Sequence, residues 1–162
     1  METFRIVAVV LDEKSVATRD PMIARERQQA ITDLLVRNYF KPFHSPGGPY
    51  RLLLSVKENR LLFDIRLAHD RAMPHGQIIL ALSTFRRVVR DYFLVCESHH
   101  AAIRNSPLQH IEALDMGRRA LHDEGAALLR ERLEGKIVID IETARRLFTL
   151  ICALHLRVWD AA

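Results

Sequence analysis

Between Tyr50 and Leu82 apolar and polar residues alternate with a period of two, and from Ser83 onward the apolar residues recur every three or four positions. The first pattern belongs to strands buried on one face, the second to helices with one buried side. Ahead of both, Phe4 to Leu11 (FRIVAVVL) is a nearly continuous apolar run, short and rich in β-branched residues, which predicts a buried strand. After a polar connection, Asp20 and Pro21 make a cap-then-proline start for a helix to about Tyr39. Its inward side is Ile23, Ala30, Ile31, Leu34 and Leu35. The stretch KPFHSPGGP (41–49) excludes helix and central strand, and its Gly47–Gly48 tip beside His44 and Ser45 is read as a connector in preference to a binding loop.

The alternating region opens with a hairpin. Tyr50, Leu52, Leu54 and Val56 face one way, Leu61, Phe63, Ile65 and Leu67 pair with them, and Lys57 to Arg60 supplies the turn. A loop with Pro74 and Gly76 then leads to a third strand over Gln77 to Leu82. Ser83 or Thr84 caps a helix to about Arg104, lined inside by Phe85, Val88, Val89, Tyr92, Phe93, Cys96 and Ile103. Ser106 followed by Pro107, with Gln109 completing a capping box, opens the longest helix, and Gly135 ends it. Lys136 to Ile139 is extended. Asp140 caps a last helix to about Val158 with Ala144, Leu147, Phe148, Ile151 and Val158 as its buried stripe. Strands first and helices second predict a single α+β domain over residues 1–162. Its antiparallel sheet has about four strands, a meander with the first strand beside it, packed by about four helices of which the longest lies near 107–134.

Length and composition narrow the class. A chain of 162 residues buries roughly 70% of its unfolded surface, enough for one real core. Nearly half the residues are hydrophobic, which excludes a disordered chain. No apolar run is long enough to span a bilayer, and Arg5 and Asp12 bracket a strand rather than a signal peptide. A soluble, cytoplasmic protein is expected. Cys96 and Cys152 fall on apolar helix faces and read as free core thiols. The formal charge is +4 with no basic block, so no nucleic-acid footprint is visible. The cations are 20 Arg against 4 Lys.

The candidate chemistry lies on the longest helix. Leu108, Ile111, Leu114, Leu121, Leu128, Leu129 and Leu133 share one side, and Asp115, Arg118 and His122 fall within that same sector, with Arg118 near its centre. Polar groups there need partners or water. Two arrangements satisfy them: an internal Asp115–Arg118 ion pair, or a polar pocket. Arg118 and Arg119 on this helix with Arg145 and Arg146 on the next are placed to line a helix–helix cleft suited to phosphate or carboxylate. His122 and Asp115 are also the candidate catalytic residues, for acid–base work near neutral pH. Three consecutive helices turn a histidine inward: His99 or His100, His122 and His155. His99, His122 and His155 are therefore the candidate metal ligands, but no metal is favoured, because no tight ligand spacing such as HExxH or CxxC occurs. Phosphate-loop, dinucleotide and nucleophile-elbow motifs are absent too.

RRVVRDYFLVCES (86–98), IEALDMGRRALHDEGAALLRERLEGK (111–136) and TARRLFTLICALH (143–155) resemble stretches of a bacterial family of uncharacterised proteins, and RERQQAITDLLVRNYF (25–40) and the hairpin fit it too. The resemblance implies a bacterial cytoplasmic protein and supplies no activity, substrate or catalytic residue. Three functions stay open. The leading one is a non-catalytic binding or regulatory domain holding a small anion, a phosphate-bearing ligand or a protein partner against Arg118, Arg119, His122, Asp115, Arg145 and Arg146. The second is a His- or metal-dependent hydrolase using His122. The third is a structural homo-oligomer, such as a homodimer, that buries the face of the longest helix bearing Gly117 and Gly125. No cofactor and no membrane partner are expected.

Overall fold

The structure is a computed structural model that describes residues 3–12 and 21–160; for residues 21–23, 70–75 and 155–160 it describes the backbone path alone. The predicted cap Asp20 lies outside the described residues, as do the side chains of Ile23 and Val158. The order is β1 (Ile6–Leu11), α1 (Pro21–Val36), β2 (Phe40–Pro42), β3 (Tyr50–Lys57), β4 (Arg60–Leu67), β5 (Asp70–Ala81), a 3-10 turn (Leu82–Phe85), α2 (Arg86–Asn105), α3 (Leu108–Leu133), β6 (Ile137–Ile139) and α4 (Ile141–Asp160). This is the α+β class that the periodicities predict.

Four strands form one sheet in the order β1-β3-β4-β5, and β2 and β6 form a separate two-stranded ribbon. The hairpin is in the expected register, with Leu52 opposite Ile65 and Leu54 opposite Phe63. Its turn puts Glu58 (φ 52) and Asn59 (φ 62) in the left-handed region that tight hairpin turns need. The sheet is mixed rather than wholly antiparallel, because β1 runs parallel to β3 at its edge. A parallel pair needs a long crossover, and α1 between the two strands supplies it. β5 is longer than expected. Pro74 and Gly76, read from the sequence as loop, lie inside it, opposite Arg66 and Ile65 with shifts in register on either side of Arg66. An edge strand tolerates proline because the missing N–H can face away from the ladder. Residues 40–42 are likewise paired, with β6.

The sheet turns Ile6, Tyr50, Leu52, Leu54, Leu61, Phe63 and Ile65 toward the helices, all at most 1% exposed. The helix at the centre of the packing is α4, not the longer α3. It contacts α1, α2, α3 and β3, and Ala144, Leu147, Phe148, Leu150 and Ile151 are fully buried. The stripe expected on α3 is buried only toward its C-terminal end: Leu129 and Leu133 are in the core, Ile111, Leu114, Leu121 and Leu128 are half-buried, and Leu108 is exposed. The helix has 26 residues, about 39 Å at 1.5 Å each, and its first turns run alongside α2 beyond the body of the domain. Ile103, near the end of α2, is exposed for the same reason.

The helix ends differ in part from expectation. Ser106 does not cap α3; its N–H bonds the Ala102 carbonyl and closes α2. Pro107 (φ −60°, ψ 151°) is the capping residue instead, without a side-chain bond, because the α2–α3 link is only two residues long. Ser83 and Thr84 are part of the 3-10 turn that leads into α2, whose cap is Phe85, again without a side-chain bond. Gly135 (φ +81°) does end α3. Asp140 does cap α4: its Oδ1 accepts from the Thr143 N–H at 2.9 Å, and the buried Thr143 Oγ1 accepts from the Tyr39 N–H at 2.9 Å. Asp140→Ala is expected to lower stability by about 1 kcal/mol, read as a shift in the urea midpoint with an unchanged slope.

The glycines of α3 face neighbours in the same chain. Gly117 lies against Val95, and a Cβ on Gly125 would fall 2.2 Å from the Phe148 ring. The close approach is therefore at Gly125, to α4, whereas Gly117 makes only ordinary contact with α2. The 43–49 connector is tied down by a Ser45–Tyr50 hydrogen bond and by Gly48, where a Cβ would meet the Thr3 carbonyl at 2.5 Å. Among the described residues no helix is long and apolar enough to cross a membrane.

Candidate functional site

Because α1 and α3 both pack against α4, a groove forms with α4 as its floor and the other two helices as its walls. Its volume is about 490 Å³. The α3 wall supplies Arg118, Arg119, His122 and Asp123, the floor supplies Arg145, Arg146 and Thr149, and the α1 wall supplies Glu26, Gln29, Ala30 and Asp33, with Tyr92 of α2 at the bottom. Five of the six ligand-binding candidates thus line a single cleft. The sixth, Asp115, holds two of them.

Asp115 is the anchor of the α3 wall. Its Oδ1 accepts from Arg118 Nη2 at 2.8 Å and Nε at 3.1 Å, and its Oδ2 lies 3.1 Å from Arg119 Nε. The Arg118 hydrogen bond holds its carboxyl below the usual carboxylate range, and Arg118 and Arg119 add to this by charge. Burial works against the Arg118 charge, but hydrogen bonds to Asp115 and Tyr92 outweigh it, so the guanidinium is held even more firmly protonated than usual. The two readings of Asp115 and Arg118 are therefore both partly realised. They form an ion pair, but within one helix, and 29% of the Arg118 side chain remains open to the cleft.

His122 sits deeper. Its ring lies between Tyr92 and Phe148, with centroids 5.5 and 5.4 Å away. Its Nε2 is 2.8 Å from Thr149 Oγ1, and the Thr149 hydroxyl donates to the Arg145 carbonyl at 3.3 Å. A hydroxyl that donates its one proton there can only accept from the imidazole, which assigns the Nε2–H tautomer. Burial pulls the His122 pKa down to about 4; Arg118, Arg145 and Arg146 push the same way, and Asp123 opposes them. The imidazole is neutral at pH 7. It is not paired with Asp115, whose oxygens are taken by Arg118 and Arg119, so the two candidate catalytic residues serve different partners.

The remaining cations differ in how they are held. Arg145 donates from Nε to Asp123 Oδ1 at 2.9 Å and is also bonded to Glu142. Arg146 is half-buried and has no hydrogen-bond or ion-pair partner among the described residues.

Residues 3–157 match the family described as "Uncharacterised protein family (UPF0262)". The chain belongs to this family. The UPF0262 protein of Caulobacter vibrioides is 58% identical over 153 residues, 94% of each chain. That of Maricaulis maris is 53% identical over 153 residues, again 94% of each. That of Rhodospirillum rubrum is 52% identical over 158 residues, 96% of this chain and 95% of its own. No solved structure matches. The family description names no activity, so the chemistry of a UPF0262 site has to be read from geometry.

The metal candidates are not brought together in what is described. His99 lies near enough to Asp115 to act on its charge, His122 faces Thr149, and the His155 side chain is outside the described residues. Among the described residues no three His, Cys, Asp or Glu side chains are grouped as a metal site would require. Sequence reasoning missed the whole α1 wall, Tyr92, Asp123 and Thr149. The α1 wall had a signal: Glu26, Gln29 and Asp33 are spaced three and four apart, one polar line along a helix. Thr149 as the partner of His122 had none, because the contact joins residues 27 positions apart on different helices.

Proposed function

We propose that this UPF0262 chain is a binding domain that takes a small phosphate- or carboxylate-bearing ligand in the α1–α3–α4 cleft. The observation that carries this reading is Arg146, a half-buried guanidinium without a partner among the described residues, set in an open cleft beside Arg118, Arg119 and Arg145. A cation without a partner gains from a ligand that brings the opposite charge. Arg118 and Arg119 are pre-oriented by Asp115, which limits the side-chain entropy lost on binding. No cofactor is needed. Two free cysteines fit a reducing compartment, so the reading places the chain in the bacterial cytoplasm.

Hydrolysis through His122 has less support. An imidazole with a pKa near 4 is a weak base at neutral pH, and with Nε2–H donated to Thr149 only Nδ1 is left to accept a proton. Isothermal titration with inorganic phosphate, phosphate metabolites and nucleotides tests the binding reading. Arg146→Gln is expected to weaken the best titrant about tenfold or more, the usual size of a lost charged hydrogen bond. If none of these titrants binds, or if Arg146→Gln binds as wild type does, the cleft is not an anion site.

A further inference from the structure

The cleft is not uniformly basic. Its α1 wall carries Glu26 and Asp33 with the Gln29 amide between them and no cation, whereas α3 and α4 carry all four guanidiniums. Opposite charges on facing walls would normally close on each other. Here two of them stay apart: Asp33 and Arg146 border the same cleft and also the smaller charged depression beside it, yet no ion pair joins them. The hydrogen bond of Asp33 among the described residues comes from Gln29 Nε2 of its own helix, at 2.9 Å. Ala30 of the α1 wall and Tyr92 at the bottom of the cleft, both buried, give a short apolar linker an apolar surface to meet.

We propose that the ligand is zwitterionic, with a phosphate or carboxylate against Arg118, Arg119 and Arg146 and an amine against Asp33 of the α1 wall. This rests on the binding reading above and narrows its ligand class. A bare anion meets the guanidiniums but also the field of the Asp33 carboxylate across the cleft. A ligand that adds an ammonium a few bonds away turns that repulsion into attraction. The volume of about 490 Å³ holds both groups.

Three probes separate the ideas, titrated into the full chain at pH 7.5 and low salt: O-phosphoethanolamine, n-propyl phosphate of matched length, and ethanolamine. O-phosphoethanolamine is expected to bind about fivefold tighter than n-propyl phosphate, the scale of one partly exposed charge contact, and ethanolamine more weakly than either. Asp33→Asn is expected to bring the ratio between the two phosphates close to one, with Asp33→Ser as a second variant should the first fail to fold. Arg146→Gln is expected to weaken both phosphates. Equal affinities of the wild type for the two phosphates would overturn the zwitterion and leave the anion reading standing. Binding of neither would overturn both.

Discussion

Phe148→Ala is expected to lower the stability of this protein by about 3–5 kcal/mol, the range for truncating a fully buried phenylalanine. The ring is 0% exposed and lies at the meeting of three helices. Tyr92 of α2 stands against it at 6.2 Å and His122 of α3 at 5.4 Å, both nearly edge-on, and Gly125 of α3 presents bare backbone to it. Alanine removes the transfer free energy of the ring and leaves a hole that these backbones cannot close. Gly125→Ala attacks the same contact from the other side. The change should gain about 1 kcal/mol of helix propensity, but the new methyl would fall 2.2 Å from the ring Cζ, and neither partner is free to move. The net expectation is destabilisation by about 1–3 kcal/mol. In the double variant the methyl enters the space the ring has left, so the loss should be smaller than the sum by about 1–2 kcal/mol. Urea unfolding of the four proteins at pH 7 measures this. Strict additivity would mean that the two residues do not touch as described.

The second large effect is on the dependence of stability on acid. His122 has a pKa near 4 in the folded chain against an ordinary value of 6.5, so between these values the unfolded chain binds a proton that the folded chain refuses. Stability contributed by the neutral imidazole is complete above pH 6.5, declines as the pH falls, and is gone below about 4. With solvent reaching the cleft, the loss over that window is about 2 kcal/mol. His122→Gln keeps a donor for Thr149 and has nothing to titrate, so its stability should fall less over the same window by about that amount. Unfolding midpoints at pH 7, 5.5 and 4.5 give the comparison. Parallel curves would show that the imidazole titrates as freely in the fold as out of it.

Much of this architecture is visible in the order of residues because it follows from local periods. The alternation over residues 50–67 determines which side of the hairpin is buried, since shifting the pairing by one residue would expose Leu52, Leu54, Phe63 and Ile65 together. The apolar stripe of α4 is legible for the same reason, as is its Asp140 cap. What misled was the assumption that an apolar period implies burial along its whole length. Leu108 keeps the period and is exposed, because α3 is longer than the body it packs on. Ser106 has the residue type of a cap and is spent on the helix before it. Proline in β5 looked like a loop because a sequence does not say which strand lies at an edge.

For the candidate site the division is sharper. Arg118 and His122 could be nominated from helical angle alone, because each angle is set by its own helix, and Arg119, Arg145 and Arg146 from arginine pairs on successive helices. Their convergence, the acidic wall opposite them and the neutral state of His122 depend on α1, α3 and α4 meeting. The amino-acid order by itself determined the four helices, the hairpin with its buried side, the stripe of α4 and the family to which the chain belongs. Only the tertiary structure decided that α4 is the hub, that β1 joins the sheet in parallel, and that a charged cleft opens above the hub. Periodicity acts over a few residues, whereas those three features are contacts between residues far apart in the chain, selected by how the finished surfaces fit.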